Sequence, residues 1–193
     1  MGASTVLPLG KGEMGRHSEF VQHVMPHLDA AYNLARWLTR NDDDAEDVVQ
    51  ESFVRAFRFF DSLKEDDARP WLLAIVRNTA YTWLRKNRPS DVVALDDTST
   101  IAEDTPTAGH SAPSDSNPEV VLLQSATRKL VNQALEDLPV AFREVLVMRE
   151  LEDLSYKEIA SVAGIPIGTV MSRLSRGREL LRQALELRMR RAS

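Results

Sequence analysis

Apolar residues recur at helical spacing along both ends of the chain, and nowhere does a sustained alternation or hairpin turn predict a strand. Phe20, Val24, Leu28, Ala31, Ala35 and Leu38 form one stripe, which Pro26 is placed to kink or restart. The loop RNDDD that follows offers Asp43 or Asp44 as an N-cap. Beyond it, Val49, Phe53, Ala56, Phe57 and Phe60 define the inner face of a second helix. Its outer face carries Asp47, Gln50, Glu51 and Val54 at i, i+3, i+4 and i+7. After the polar loop DSLKEDDA, Pro70 suits a helix start. The run from Trp71 to Arg88 buries Leu72, Ile75, Val76, Thr79 and Trp83, with Arg77, Asn78, Tyr81 and Arg85 on the other face.

Residues 90–118 break this pattern: they are rich in Ser, Thr, Asp and Pro, hold no aromatic residue and show no helical period, which predicts a flexible acidic linker. The helical pattern resumes near Glu119 and runs to about Glu136. The sequence DLP supplies a cap and a proline for the next helix, about Val140 to Glu150, apolar at Val145, Leu146 and Met148. In LSYKEIASVAGIPIGTV, Ser155 and Glu158 make a capping box, Ile159 and Ala163 face inward, and Gly164 stops the helix in a left-handed conformation. The last helix has Val170, Leu174, Gly177 and Leu181 on one side. The fold class is therefore all-α: two small helical domains on one tether.

Composition bears on partners more than on fold. The chain has 193 residues, no cysteine and a net charge of −5, so disulfides, thiolate metal sites and cysteine nucleophiles are excluded. No apolar run is long enough for direct membrane insertion. The start lacks the features of a signal peptide, and Val6 stands where a myristoylation signal needs Ser or Thr, so a cytoplasmic protein is expected. The acidic excess is concentrated in residues 90–119, whereas residues 166–193 hold seven arginines against Glu179 and Glu186. A binding footprint is local, so the net charge does not exclude nucleic acid.

A capped short helix, a glycine turn and a second amphipathic helix make the pattern of a helix-turn-helix. Its stripe of Val170, Leu174 and Leu181 packs inward, leaving Thr169, Ser172, Arg173 and Arg176 for the major groove. Arginine suits guanine, and Thr169 with the first-turn amides suits phosphate. A solvated arginine-rich face fits those residues equally well. Gly177 weakens a helix by up to ~1 kcal/mol relative to alanine and so implies a close packing approach. His23 and His27, with His17 and Asp29 nearby, raise an all-helical metal enzyme as a further reading. Pro26 lies between the two histidines and the glutamate of an HExxH motif is missing. The acidic triple in NDDD lacks the spacing and glycine of an EF-hand loop. No metal or other cofactor is expected.

Three ordered segments, DAEDVVQESFVRAF (44–57), ARPWLLAIVRNTAYTWLRKNR (68–88) and LPVAFREVLVMRELEDLSYKEIASVAGIPIGTVMSRLSRGRELL (138–181), resemble regions two and four of a bacterial sigma factor. The short layout resembles the extracytoplasmic-function group. The resemblance implies an N-terminal extension (1–17), a region 2 domain (18–89), a linker (90–118), a region 4 domain (119–185) and a C-terminal tail (186–193). It implies no catalysis. Asp47, Gln50, Glu51 and Val54 are expected to dock on a basic coiled coil of RNA polymerase core, an arrangement of charge complementarity with a small apolar anchor. Arg77, Asn78, Tyr81 and Arg85 are expected to engage and help melt the minus-ten element of promoter DNA. Ile167, Gly168, Thr169, Ser172, Arg173 and Arg176 are expected at the minus-thirty-five element. The loop Asp61 to Asp67 matches the pocket for a flipped base, yet is acidic at Glu65, Asp66 and Asp67. The linker is expected in the polymerase cleft, as a nucleic-acid mimic or a solvated tether. Control by an anti-sigma factor is also implied. The competing function is a stand-alone helix-turn-helix regulator that never associates with core.

Overall fold

A computed structural model describes residues 11–63, 68–93 and 118–192, and every regular element among them is helical. Helix α1 (Lys11–Val24) gives way to a 3-10 turn at Met25–His27, where Pro26 sits, and the chain restarts as α2 (Leu28–Thr39). Proline lacks an amide to donate, so the break falls where the sequence predicts it. Arg40 closes α2 in a left-handed conformation (φ 57°), its amide donating to the Arg36 carbonyl at 2.8 Å. Helix α3 (Asp42–Arg58) is capped by Asn41, whose side chain accepts from the Asp44 amide at 2.9 Å. The expected caps, Asp43 and Asp44, lie instead inside the first turn, where carboxylates favour the positive end of the helix.

After a 3-10 turn at Phe60–Ser62 comes α4 (Ala68–Asn87), then the short α5 (Pro89–Val93), which occupies the first positions expected of the linker. The rest of that segment, residues 94–117, lies outside the described residues, as do residues 1–10 and the loop acids Glu65, Asp66 and Asp67. Phe20 gathers Phe53, Phe57 and Phe60 edge-to-face, with ring centroids 6.3, 5.2 and 5.4 Å away. Leu28 and Phe57, expected inside, sit part-exposed at the edge of this core.

The C-terminal half comprises α6 (Pro118–Asp137), α7 (Val140–Leu146), α8 (Tyr156–Ala163) and α9 (Ile167–Ala192). Pro139 occupies the N-cap of α7 without a side-chain cap bond, and Asp137, the expected cap, pairs with Arg188. The helix expected to reach Glu150 widens to a π-turn at Val147–Leu151, after which the Leu154 amide donates to the Met148 carbonyl. Buried Arg143 donates to the Glu136 and Leu138 carbonyls at 2.9 Å each, tying the end of α6 to α7. Burial, and next the charge of Arg40, lower its pKa to about 10, which leaves it protonated at neutral pH.

The two halves share one continuous apolar core, with α4 against α8 and α2 against α7.

Candidate nucleic-acid interface

The helix-turn-helix is built as the local sequence dictates. The Ser155 hydroxyl accepts from the Glu158 amide at 3.2 Å, while the Glu158 carboxylate accepts from the Ser155 amide at 2.7 Å. The side-chain and backbone hydrogen bonds of Ser155 hold the Glu158 carboxyl below its ordinary value. Gly164 ends α8 with φ 65°, and the Ile165 amide donates back to Ala160, so the chain turns within three residues into α9. Val170 and Leu174 are buried beneath α9. A Cβ placed on Gly177 would lie 3.1 Å from Leu146 Cδ1 and 3.4 Å from the Phe142 Cβ, so this glycine permits the close approach of α9 to α7.

These anchors orient the N-terminal turns of α9. Ile167 is 46% exposed, Gly168, Ser172 and Arg176 face solvent, and Thr169 is half-buried. The Ser172 hydroxyl donates to the Thr169 carbonyl at 3.1 Å. Arg173 departs from this set: its side chain lies against Glu144 of α7, N to O 3.3 Å, and keeps 20% of its exposure.

The expected face of α4 divides in two. Asn78 and Arg85 are exposed on one strip of the helix. Arg77 points to the C-terminal half, where its Nε and terminal nitrogen donate to the two oxygens of Glu144 at 2.7 and 3.1 Å, a two-point guanidinium–carboxylate contact. Its guanidinium also stacks over the Tyr81 ring, 4.3 Å from the centroid. Burial works against the Arg77 charge, but the bond and charge of Glu144 outweigh it and its pKa is raised. Tyr81, expected on the outer face, is 5% exposed and belongs to the core. Burial first, and the neighbouring Glu144 carboxylate second, push its phenol well above the ordinary range. The reason the helical period misplaces Tyr81 is that α4 is covered on two sides, by α2 and α3 and then by α8. A single-stripe reading of the sequence sees the first cover and not the second.

Trp83, expected inside, is half-buried against the core, as is Trp71, and the Arg88 guanidinium lies 5.4 Å from the Trp83 ring centroid. On α3, Asp47, Gln50, Glu51 and Val54 form one exposed strip, with Val54 62% exposed and Glu51 paired to Arg55. Of the histidine pair considered for metal, His23 Nδ1 lies 2.8 Å from the Glu19 carbonyl, and burial with the charge of Arg69 lowers the pKa of His27. Among the described residues no three His, Asp or Glu side chains converge on a point that could hold a metal.

Glu144 escapes a reading of the sequence because an acidic residue inside an apolar helix reads as solvated. The signal available was its setting, VAFREVLVM, in which a charge amid apolar neighbours needs a buried partner.

Comparison with known proteins bears on the whole arrangement. The family described as Sigma-70 region 2 matches residues 23–89, and that described as Sigma-70, region 4 matches residues 128–181. The ECF RNA polymerase sigma-E factor of Salmonella typhimurium strain 14028s is 39% identical over 153 residues, 77% of this chain and 77% of that protein. Among solved structures, the sigma factor RpoE in complex with the anti-sigma factor NepR from Bartonella quintana is similar with TM-score 0.64 and 29% identity. The match covers 88% of this chain and 98% of that one. CnrH in complex with the cytosolic domain of CnrY is similar with TM-score 0.60 and 25% identity, over 90% of this chain and 92% of that one.

Proposed function

The chain belongs to the sigma-70 family as an RNA polymerase sigma factor of the extracytoplasmic-function group, and from that premise we propose how its surfaces divide the work. It is a transcription initiation factor and performs no bond chemistry. Asp47, Gln50, Glu51 and Val54 on α3 dock on core polymerase, the carboxylates steering toward a basic partner and Val54 supplying the apolar anchor. Ile167, Gly168, Thr169, Ser172, Arg173 and Arg176 read the minus-thirty-five element from the major groove. Arg77, Asn78, Tyr81 and Arg85 engage the minus-ten element and favour its opened strand. Residues 18–89 and 119–185 are the working domains, residues 90–118 the connection, and residues 1–17 and 186–193 the extensions. The protein acts in the cytoplasm. The anti-sigma factor named as the partner of RpoE supports an anti-sigma factor as its regulator.

The observation that carries this assignment is order along the chain: an exposed acidic helix, then a basic and aromatic helix, then a capped helix-turn-helix. A stand-alone regulator has no use for region 2, which matches residues 23–89 of this chain. Transcription in vitro with core polymerase on a promoter library tests the assignment. Initiation at a defined pair of elements, dependent on both core and this chain, is expected. Stable binding to promoter duplex as a dimer that never associates with core would refute it.

A further inference from the structure

Helices α2 and α8 each end on a left-handed residue, Arg40 and Gly164, whose amide returns to a carbonyl of the last turn. Helix α3 has no such residue. Phe59 leaves it with φ −99° and ψ 11°, so the carbonyls of its last turn need partners from elsewhere. Those of Phe57 and Arg58 accept from one terminal nitrogen of Arg16, at 3.1 and 3.5 Å, although Arg16 lies far back in the chain on α1. The same guanidinium is 5.2 Å from the Phe57 ring centroid, and its Nε is 3.2 Å from the Asp61 carboxylate. That nitrogen is itself buried and has no aligned hydrogen bond, so its contact with Asp61 is one of charge.

The register of α1 delivers Arg16 to this place. Arg16, Phe20 and Val24 fall at i, i+4 and i+8 on one face, and Phe20 and Val24 are buried in the core. Phe20 is the residue that gathers Phe53, Phe57 and Phe60, so α1 is fixed against the same end of α3 that Arg16 caps. Helix α1 packs against α4 as well. It thus braces both helices that flank the connection from α3 to α4, although the matched span of region 2 begins only at residue 23.

We propose that Arg16 is a positioning residue for minus-ten recognition: by capping α3 it fixes Phe59 and the 3-10 turn that leads toward α4. The inference rests on the reading of α4 as the minus-ten helix. Arg85 and Asn78 lead along α4 toward its N-terminus, and a strand that follows them arrives where the connection feeds that helix. There Phe59, 56% exposed, offers a face on which a base can stack, and Asp61, 80% exposed, an acceptor for a base amino group. Both hang from the backbone that Arg16 holds. The turn is built directly on the capped segment: the Phe59 carbonyl accepts from the Ser62 amide at 2.9 Å and its hydroxyl at 2.7 Å, and the Leu63 amide donates to Phe60 at 2.9 Å. Arginine suits the task because its rigid fork reaches two carbonyls from one end and a carboxylate from its side.

The variant Arg16→Met keeps an apolar stem against Phe57 and removes the donors. In the free chain, hydrogen exchange at the Ser62 and Leu63 amides is expected to rise about tenfold, while helicity stays native. The second measurement uses holoenzyme with core polymerase and labelled single-stranded oligonucleotides carrying the minus-ten element, each base substituted in turn. Preference for the matched base should fall about tenfold at one position, roughly what one stacked base contributes, with affinity for an upstream-element duplex unchanged. Arg16→Lys, whose ammonium reaches the carbonyls without spanning to Asp61, should restore part of both readouts and serves if Arg16→Met loses helicity. Unchanged exchange at Ser62 and Leu63 in a folded variant would overturn the capping role. Faster exchange with base preference intact, or an equal loss on every oligonucleotide, would overturn its link to promoter reading. A wild-type holoenzyme with no preference among the oligonucleotides would overturn the minus-ten reading itself, and this proposal with it.

Discussion

Arg173 and Arg176 are three residues apart on α9, yet they occupy different surroundings, and the difference sets what each substitution should do. Arg176 is exposed, so Arg176→Ala should leave folding intact. Promoter binding should weaken by about 1–3 kcal/mol with relaxed preference at one base pair, as measured by competition between single-base variants of the upstream element. Equal loss on every sequence would place it on phosphate instead. Arg173→Ala removes one of two partners of a buried carboxylate and so mixes a DNA effect with a packing effect. Gly177 offers a cleaner case. Gly177→Val drives new atoms into Leu146 and Phe142, both buried, and should lower unfolding free energy by about 1–3 kcal/mol in urea titration. An unchanged midpoint would show that α7 and α9 can separate at no cost.

At the scale of the element, α3 is the simplest surface because its inner and outer faces follow one helical period. Ala45, Val48, Val49, Ser52 and Ala56 are buried, and the acidic strip stays outside. Reversing the strip with Asp47→Lys and Glu51→Lys should reduce association with core by at least about tenfold in a pull-down titration, with circular dichroism unchanged. The Glu51 change also sets two cations side by side in place of its pair with Arg55, a penalty of a few tenths of a kcal/mol that helix α3 can absorb. Undiminished association would remove α3 from the docking surface. Helix α4 is the contrasting element. Its expected outer face was half wrong as a solvent face, since Tyr81 is core and Arg77 is an interface residue, while Asn78 and Arg85 remain exposed.

For the whole molecule, the continuous core predicts that the halves unfold together. All three tryptophans, Trp37, Trp71 and Trp83, lie in the N-terminal half, whereas helices lie in both. Tryptophan fluorescence therefore reports one half and far-ultraviolet circular dichroism reports both. The two probes should give coincident urea transitions for the wild-type chain, the mark of two-state unfolding. Separate transitions would mean that the halves are thermodynamically independent despite their contact.

Features governed by a few neighbouring residues were legible in the sequence: the proline break before α2, the capping box of Ser155 and Glu158, the left-handed Gly164, the close approach at Gly177 and the exposed strip of α3. Each depends on backbone geometry or one helical period, and both are local. The caps of α3 and α7 were misplaced by two or three residues because several polar residues compete there. The order of the motifs was also legible, and with it the family. Which side of α4 meets water was settled by the packing of the second half against the first, because that contact joins residues such as Arg77 and Glu144 that lie far apart along the chain. No periodicity in either segment encodes the partner of a buried carboxylate. Its position is fixed only once both bundles are folded and brought together.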